Sequence, residues 1–406
     1  HVKVGHRQTP DKTKPSSTEL GFVLCVRRMR ETRPDRHCRG FGVYSRRPYH
    51  VRIAPENMMT KTLNVGLLGF GYAGSTFHAP LLRAVDGIEL VAVASSRPEQ
   101  VVAVLPNVQV HATPDALLMA PDIDLVVIAT PNDSHFPLAE AALRAGKHVV
   151  VDKPFTLTAA EARQLVALAE RQGLLLSVFH NRRWDADFLA IQQLMADGLL
   201  GRVVHFESHF DRYRPQVRQR WRESTNAGAG LWYDLGPHLL DQVVQLFGLP
   251  QAILLEKAAL RDGALSDDWF HALLRYPDKR VMLHGSALVA DAGPRFIIHG
   301  TQGSFSKYGL DPQEDALKAG GMPGSAAWGR DDLPGRLVLA DGVPREHVGP
   351  AGDYTRYYSS VRNALLHGAA NPVPAVQAWQ VMVLLELGWL SADQQHWQTV
   401  PAALAC

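Results

Sequence analysis

Cysteine is scarce in this chain, and long hydrophobic runs are absent from it. The 406 residues include three cysteines, which lie far apart near the two ends, at Cys25, Cys38 and Cys406. They form neither a disulfide framework nor a metal-ligand spacing, which fits a reducing cytoplasm. No stretch of about 18 uninterrupted apolar residues occurs, so the sequence predicts no membrane span.

Acidic residues are scarce in the first part of the chain. Residues 1–58 carry 13 Lys or Arg against 5 Asp or Glu, a net charge of +8, and the remainder carries 29 against 35, a net of −6. A basic arm can bind nucleic acid or a membrane surface, and an Arg-rich leader can be a targeting segment. However, the segment lacks a sustained helical or strand period, the chain begins with His1, and Met58-Met59 precedes the first clear strand. We therefore expect residues 1–58 to be disordered, lying upstream of the true start or added during cloning, and predict no nucleic-acid or membrane partner.

The rest of the chain has a regular alternation of strands and helices. Hydrophobic content of 46% and charged content of 20% are ordinary for a globular protein, and the length predicts two or three domains. Six strands are predicted from Leu63 onward: Leu63–Leu68, Ile88–Ala94, Val108–Ala112, Ile123–Thr130, His148–Val151 and Leu174–Phe179. Strands that alternate with helices in this way indicate a doubly wound parallel sheet.

A glycine-rich loop directly follows the first strand. It has the order Gly-x-Gly-x-x-Gly and consists of Gly69, Phe70, Gly71, Tyr72, Ala73 and Gly74. The pattern is weak by itself, but here a strand precedes it and a predicted helix follows it. Such a loop brings backbone N–H groups close to a pyrophosphate, so we predict that these residues bind a dinucleotide.

The second strand lacks the acidic residue that usually follows it in NAD-binding domains. An Asp or Glu there would bond the ribose hydroxyls, whereas this chain has Ser95, Ser96 and Arg97. Two hydroxyls and a guanidinium can hold a 2′-phosphate. We therefore predict that NADP is preferred, with NAD as a possible second cofactor.

The fourth and fifth strands each end in polar residues. The fourth strand ends at Thr130-Pro131-Asn132, which is predicted to contact the nicotinamide ribose, and His135 is assigned to the same cofactor site. The fifth strand ends at Asp152-Lys153-Pro154, whose first two residues are also assigned to the cofactor site. A lone lysine at a strand end is usually a surface residue. However, ligands of an open parallel sheet collect beyond the carboxyl ends of the strands, and the proline restricts the backbone of the lysine.

These residues resemble the glucose–fructose oxidoreductase, inositol dehydrogenase and rhizopine-catabolism (Gfo/Idh/MocA) family. The likeness extends from about Leu63 to near Gln395. The Glu-Lys-Pro motif of the family stands here as Asp152-Lys153-Pro154, a conservative departure. A second family signature, Asp-x-x-x-His on a helix, is present at Asp234 and His238. The stretches 180–184 and 206–213 are most similar to the branch that includes scyllo-inositol dehydrogenases, whose members use NADP or NAD.

The resemblance implies an α/β architecture of two domains. Residues 59–180 would form a Rossmann domain, and residues 181–406 an α+β domain with an open-faced, mostly antiparallel sheet. The free face of that sheet implies a homodimer or homotetramer. Four strands near 252–299 fit such a sheet, residues 311–350 are predicted to be irregular, and helices over Asp353–His367 and Pro374–Ser391 are predicted to pack back onto the domains.

The implied activity is hydride transfer between nicotinamide and a secondary alcohol or ketone of a cyclic polyol or sugar. Asp234 and His238 are four residues apart, so they share one helix face, and the carboxylate is predicted to orient the imidazole. His238 would take the hydroxyl proton and Lys153 would polarise the oxygen, although the sequence does not assign the proton between them. Arg182 and Trp232 are predicted to contact the substrate. No His, Cys or carboxylate cluster has metal-ligand spacing, so we predict hydride chemistry without a metal.

Two other functions fit the same sequence features. One is a glycoside hydrolase that keeps NAD bound and oxidises its sugar transiently. The other is a regulator that senses the cofactor without chemistry, and the presence of both Lys153 and His238 argues against it.

Overall fold

The computed structural model describes residues 62–405. The prediction of disorder for residues 1–58 therefore lies outside the described residues.

Within the described range, a six-stranded parallel sheet forms the first half of the fold, in the strand order β3-β2-β1-β4-β5-β6. The strands are β1 (Leu63–Leu68), β2 (Ile88–Ala94), β3 (Gln109–His111), β4 (Leu125–Ile128), β5 (His148–Val151) and β6 (Leu176–Val178). The predicted doubly wound sheet is confirmed, with the third, fourth and sixth strands shorter than predicted. The order reverses between β1 and β4, which places the ligand crevice above that pair.

Helices cover both faces of this sheet. They are α1 (Ala79–Arg83), α2 (Pro98–Val104), α3 (Pro114–Leu118), α4 (His135–Arg144) and α5 (Ala159–Gln172). A π-helical turn, Gly74–His78, leads into α1. At the start of α5, Thr158 and Glu161 form a reciprocal capping box, and Gly173 ends the helix in a left-handed conformation.

The second half contains, among the described residues, a nine-stranded sheet in the order β14-β13-β12-β11-β7-β10-β9-β8-β15. β7 and β10 are parallel, and the other neighbours are antiparallel, as predicted. The strands are β7 (Val203–Asp211), β8 (Ala252–Ala258), β9 (Trp269–Arg275), β10 (Arg280–Ser286), β11 (Phe296–Gly300), β12 (Gly303–Lys307), β13 (Gly335–Leu339), β14 (Pro344–His347) and β15 (Gln398–Thr399).

The prediction that residues 311–350 are irregular is wrong. The segment contains the helix α8 (Gln313–Lys318) and the edge strands β13 and β14. Its many Gly, Pro and Asp residues occupy the turns between these short elements, which obscured their periodicity. Asp311, for example, accepts a hydrogen bond from the backbone N–H of Gln313 at the start of α8.

The remaining helices link the two sheets. They are α6 (Ala186–Ala196), α7 (Leu231–Phe247), α9 (Thr355–His367) and α10 (Ala375–Gln394). α7 packs on β9 and β10, whereas α10 contacts α5, α7 and β8. By length and composition alone α10 is apolar enough to cross a membrane, but its buried residues pack into the core between these elements.

Candidate active site

A cavity of about 470 Å³ lies at the carboxyl ends of β1, β2 and β4. The loops after these strands converge there, because the carboxyl ends of parallel strands share one edge of a sheet. Its lining includes most of the residues predicted to bind cofactor: Gly69, Phe70, Gly71, Tyr72, Ala73, Ser95, Ser96, Arg97, Thr130, Pro131, Asn132 and Asp152. The segments chosen from the sequence are therefore brought together at one cleft.

Gly74 does not line this cavity, although it belongs to the same motif. A Cβ atom at Gly74 would overlap the carbonyl oxygen of Gly69, which has a φ of +93°. The third glycine thus allows the following turn to approach the loop closely, as a dinucleotide-binding loop requires.

His135 is a buried structural residue, contrary to its assignment to the cofactor. The side chain is 1% exposed, its Nδ1 lies 2.8 Å from the Pro154 carbonyl, and its Nε2 lies 3.0 Å from the Thr130 carbonyl. Burial lowers the pKa of His135, so the neutral ring donates to one of these carbonyls. His135 therefore ties the loop after β4 to the cis Lys153-Pro154 segment after β5.

A second cavity of about 530 Å³ adjoins the first. Both cavities are lined by Tyr72, Ala73, Asp152 and Arg222, so these residues lie at the boundary between them. The second cavity also contains Lys153, Asp234 and His238, the three residues predicted to be catalytic.

Lys153 is held in place by the first turn of α7. Its Nζ donates to the Asp234 carbonyl oxygen at 2.8 Å and to the Asp234 Oδ1 at 3.1 Å. α7 begins here because Gly230 has a φ of +95° and the Asp267 carboxylate accepts a hydrogen bond from the Trp232 N–H. The ammonium is thus fixed at the edge of the cavity, with 14% of the side chain exposed.

Asp234 contacts Lys153 and not His238, so the prediction that it orients the imidazole is wrong. Arg222 Nε also lies 3.5 Å from its Oδ1. Burial alone would raise the pKa of Asp234, but the charges of Lys153 and Arg222 hold it well below its usual range. Asp234 and His238 do lie on the same helix, as predicted, but the Asp234 carboxylate points toward Lys153 and Arg222.

His238 is a neutral base at the wall of the same cavity. Burial, together with the positive charges of Lys153 and Arg182, lowers the pKa of His238 well below its usual value. The Nδ1 atom is buried and has no hydrogen-bond partner among residues 62–405. The imidazole nevertheless lines the cavity, and a neutral ring there can accept a proton from a hydroxyl group.

Asp152 lies between the two cavities and remains ionised. Its Oδ1 accepts a hydrogen bond from the Lys153 backbone N–H at 2.7 Å, and its Oδ2 lies 3.9 Å from His78 Nε2. Although burial opposes ionisation, His78 and Lys153 hold the pKa of Asp152 at about 2. An aspartate serves here in place of the glutamate that is usual in the motif.

Arg182 lines the cavity, but its guanidinium is already bound. Nη1 lies 3.2 Å from Asp185 Oδ2 and Nη2 lies 2.7 Å from Glu314 Oε2. Glu314 in turn accepts a hydrogen bond from Tyr72 at 3.2 Å. Arg182 thus organises the cavity wall through Glu314, a residue that the sequence did not reveal because it lies on α8 in the segment predicted to be irregular.

The substrate contact predicted for Trp232 is wrong. Its side chain is 0% exposed, its Nε1 donates to the Leu385 carbonyl at 3.1 Å, and its ring packs on Phe270. Trp232 anchors α7 to α10 and to the sheet, since its position on the helix is on the side opposite Asp234.

The cavity wall is strongly basic, a feature that was not predicted from the sequence. An arginine-rich segment between β7 and α7 contributes five guanidinium groups to the lining, from Arg212, Arg214, Arg218, Arg220 and Arg222. Trp221 and Arg222 of this segment also line the first cavity. The alternation of arginines in residues 212–222 was the available signal, and it indicates a site for anionic ligands.

Because His180 is buried, we expect the free energy of unfolding to fall in mild acid. Burial, with the charges of Arg183 and Lys153, lowers the pKa of His180 to about 4, while the unfolded chain protonates near 6.5. As the pH falls, the unfolded chain binds the proton before the folded protein does. The contribution of neutral His180 to the free energy of unfolding is therefore complete above pH 6.5, and up to about 3 kcal/mol of it is lost as the pH falls toward 4. Urea unfolding should show that the free energy of unfolding falls less between pH 7.5 and pH 4.5 for His180→Gln than for wild type. His367→Gln, at an exposed position, is the control, and equal losses in all three proteins would contradict the assignment.

Comparisons with known proteins agree with this geometry. Two family profiles match the chain, "Oxidoreductase family, NAD-binding Rossmann fold" over residues 63–180 and "Oxidoreductase family, C-terminal alpha/beta domain" over residues 192–400. The oxidoreductase YdgJ of Escherichia coli is 54% identical over 83% of this chain and 98% of its own length. The scyllo-inositol 2-dehydrogenase (NADP(+)) IolW of Bacillus subtilis is 39% identical over 82% of this chain and 95% of its own length.

A solved structure from Yersinia pestis, described as an oxidoreductase, is 52% identical and covers 86% of this chain and 99% of its own, with a TM-score of 0.82. The profile matches and these identities extend over both sheets and the cleft between them. The chain belongs to the Gfo/Idh/MocA family of NAD(P)-binding oxidoreductases.

Proposed function

We propose that this protein transfers a hydride between NADP and a secondary alcohol or ketone of a cyclic polyol or sugar. The observation that carries the proposal is that the cavity lined by Lys153 and His238 adjoins the cavity lined by the dinucleotide-binding loops. The cofactor supplies the hydride chemistry when bound, and the protein orients the substrate and moves the proton. The likeness to IolW, a scyllo-inositol 2-dehydrogenase (NADP(+)), supports a cyclic polyol as the substrate class.

In this proposal Lys153 and His238 act on the same substrate oxygen. Lys153 Nζ is a fixed donor, so it stabilises the negative charge that develops when the hydroxyl loses its proton. His238 lines the same cavity and is neutral, so it accepts that proton. Asp234 acts as a positioning residue for Lys153.

The preference for NADP is proposed from the end of β2. Ser96 and Arg97 are exposed at the first cavity, and the side chain of Arg97 has no ion pair with any described residue. The Arg97→Ala variant should lower kcat/KM with NADP about 10- to 100-fold, since a charged hydrogen bond to the 2′-phosphate is lost, and leave kcat/KM with NAD unchanged. Steady-state reduction of each cofactor measures this, with Arg144→Ala on the surface of α4 as the control. An equal loss with both cofactors, or wild-type turnover of NAD as efficient as that of NADP, would contradict the preference.

The substrate class is tested by a panel of inositols, aldoses and keto-sugars, screened with both cofactors by absorbance at the nicotinamide band. Net reduction of added NADP by a polyol alone is expected. A hydrolase that keeps its cofactor bound would instead release an aglycone without net reduction of added cofactor. A chain that bound the cofactor but turned over no member of the panel would favour the regulator. The homodimer or homotetramer and the cytoplasmic location stay predictions.

A further inference from the structure

A row of histidines crosses the sheet of the second domain on the side away from α7. Along β7, Phe206, Ser208 and Phe210 are fully buried, whereas the alternate residues His209 and Asp211 lie on the opposite face and are partly exposed. In the strand register, His284 of β10 lies beside His209 of β7, and His271 of β9 lies beside His284. This face is therefore separate from the catalytic cleft, into which the next residue, Arg212, points.

Three potential ligand atoms converge on this face. Asp211 Oδ2 lies 3.8 Å from His209 Nδ1, and Asp211 Oδ1 lies 3.6 Å from His284 Nε2. One ligand atom from each of the three residues lies within 4.8 Å of the other two. The Asp211 side chain is 9% exposed, and its Oδ1 has no hydrogen-bond partner among the described residues. A carboxylate oxygen that is buried without a donor costs free energy, unless a cation binds there.

The hydrogen bonds around the cluster leave lone pairs facing inward. His209 Nε2 lies 2.9 Å from Glu207 Oε2, and an ionised carboxylate only accepts, so the ring carries its proton on Nε2. In a neutral ring, Nδ1 then presents a lone pair toward Asp211, which is also an acceptor. His284 has its Nδ1 beside His271 Nδ1 at 3.5 Å, and its other nitrogen, Nε2, faces Asp211. Two imidazole nitrogens and a carboxylate thus point at one space.

We propose that His209 Nδ1, the Asp211 carboxylate and His284 Nε2 bind a Zn²⁺ ion. Zn²⁺ takes His nitrogen and carboxylate oxygen at about 2.0–2.2 Å in tetrahedral geometry, and a set of three protein ligands leaves the fourth position for water. Ligand atoms in such a tetrahedron lie roughly 3.4 Å apart. Asp211 reaches His209 through Oδ2 at 3.8 Å and His284 through Oδ1 at 3.6 Å, and one atom from each residue lies within 4.8 Å of the other two, so binding would draw the three side chains together by up to about 1.4 Å. Glu207 orients His209 from behind, as carboxylates do for zinc-bound histidines.

The site was hidden in the sequence because its ligands come from two strands. His209 and Asp211 are two residues apart, which on a strand places both side chains on one face, but His284 lies in a distant part of the chain. Only the parallel pairing of β7 with β10 brings the third ligand beside them. The bound ion would link these two strands on the face opposite the cleft.

The test is calorimetric titration of ZnCl₂ into the full-length protein, free of any purification tag and stripped of metal with EDTA. One Zn²⁺ per chain is expected for wild type, with at least about 100-fold weaker binding for Asp211→Asn and for His284→Gln. Glu207→Gln should weaken binding about 10- to 100-fold. His299→Gln, on the neighbouring strand β11 and outside the ligand set, is the matched control and should bind as wild type does.

Folding of each variant is checked by its melting temperature without metal. Because Zn²⁺ that binds only the folded state stabilises it, ZnCl₂ should raise the melting temperature of wild type and of His299→Gln, but not of Asp211→Asn. Loading with Co²⁺ should give the visible absorption of a tetrahedral site in the same two proteins. An absence of Zn²⁺ binding by wild type, or undiminished binding by both folded Asp211→Asn and His284→Gln, would overturn the proposal.

Discussion

The Lys153→Ala variant is expected to lose about 10²- to 10⁴-fold in kcat, the range for removing a positioned group that stabilises charge or transfers a proton. Lys153 Nζ is fixed by two oxygens of Asp234, so no solvent molecule would take its place with the same orientation. The ammonium contributes most where the substrate oxygen becomes an alkoxide, so kcat should fall more than KM rises. Steady-state rates with the best substrate of the panel measure the effect.

Two variants serve as controls for Lys153→Ala. Lys153→Arg retains the charge but not the compact donor and should recover part of the lost rate. Lys318→Ala removes another cation of the same cavity, one that is already paired with Glu314 and Asp315, and should change kcat by less than about tenfold. NADP binding, measured by fluorescence, should persist in all three variants. Full activity in Lys153→Ala would eliminate the proposed mechanism.

The His238→Ala variant is expected to lose about 10²- to 10³-fold in kcat/KM for alcohol oxidation, because the neutral base of the cavity is removed. The cavity left by the ring is open to the cleft, so added imidazole should restore part of the rate in this variant and in no other. The measurement is the oxidation rate as a function of imidazole concentration, at a pH where free imidazole is unprotonated.

The conservative variant His238→Gln separates the base from the space it fills. It keeps a polar side chain of similar length but cannot take a proton, so its kcat/KM should be as low as that of His238→Ala, without rescue by imidazole. Wild-type activity in His238→Gln would show that His238 only bonds the hydroxyl and would leave the proton to Lys153. The two residues act on one oxygen, so the loss in the double variant should be smaller than the product of the single losses.

The fold was predictable from the sequence because local signals and the global architecture agree. The apolar strands, the capped helix α5 and the glycine loop each indicate the same doubly wound sheet, and the carboxyl edge of that sheet is where Lys153 lies. The position of a residue relative to a predicted strand shows whether it lies at the carboxyl end of that strand. The loops that line the first cavity could therefore be identified from the sequence.

Partners that come from distant parts of the chain were not predictable in the same way. Asp234 and His238 share a helix face, but the cations opposite that face, Lys153 and Arg222, decide where the carboxylate points. Trp232 has the residue type of a sugar-stacking side chain, yet its position on α7 places it against Leu385. Periodicity describes one element at a time, whereas these contacts depend on how two elements meet.

The last two helices have a consequence for how this protein can be divided. Glu386 of α10 accepts a hydrogen bond from the backbone N–H of Ala159 at 2.7 Å, at the first residue of α5, and Tyr357 of α9 donates to Ser177 Oγ in β6 at 2.8 Å. Two elements of the nucleotide-binding half are thus completed by residues near the opposite end of the polypeptide. A fragment cut at residue 180 would expose the apolar surfaces that α9 and α10 cover and would lose the acceptor at the start of α5. We therefore expect that an exchange of the nucleotide-binding half between relatives would have to carry residues 62–180 together with α9 and α10.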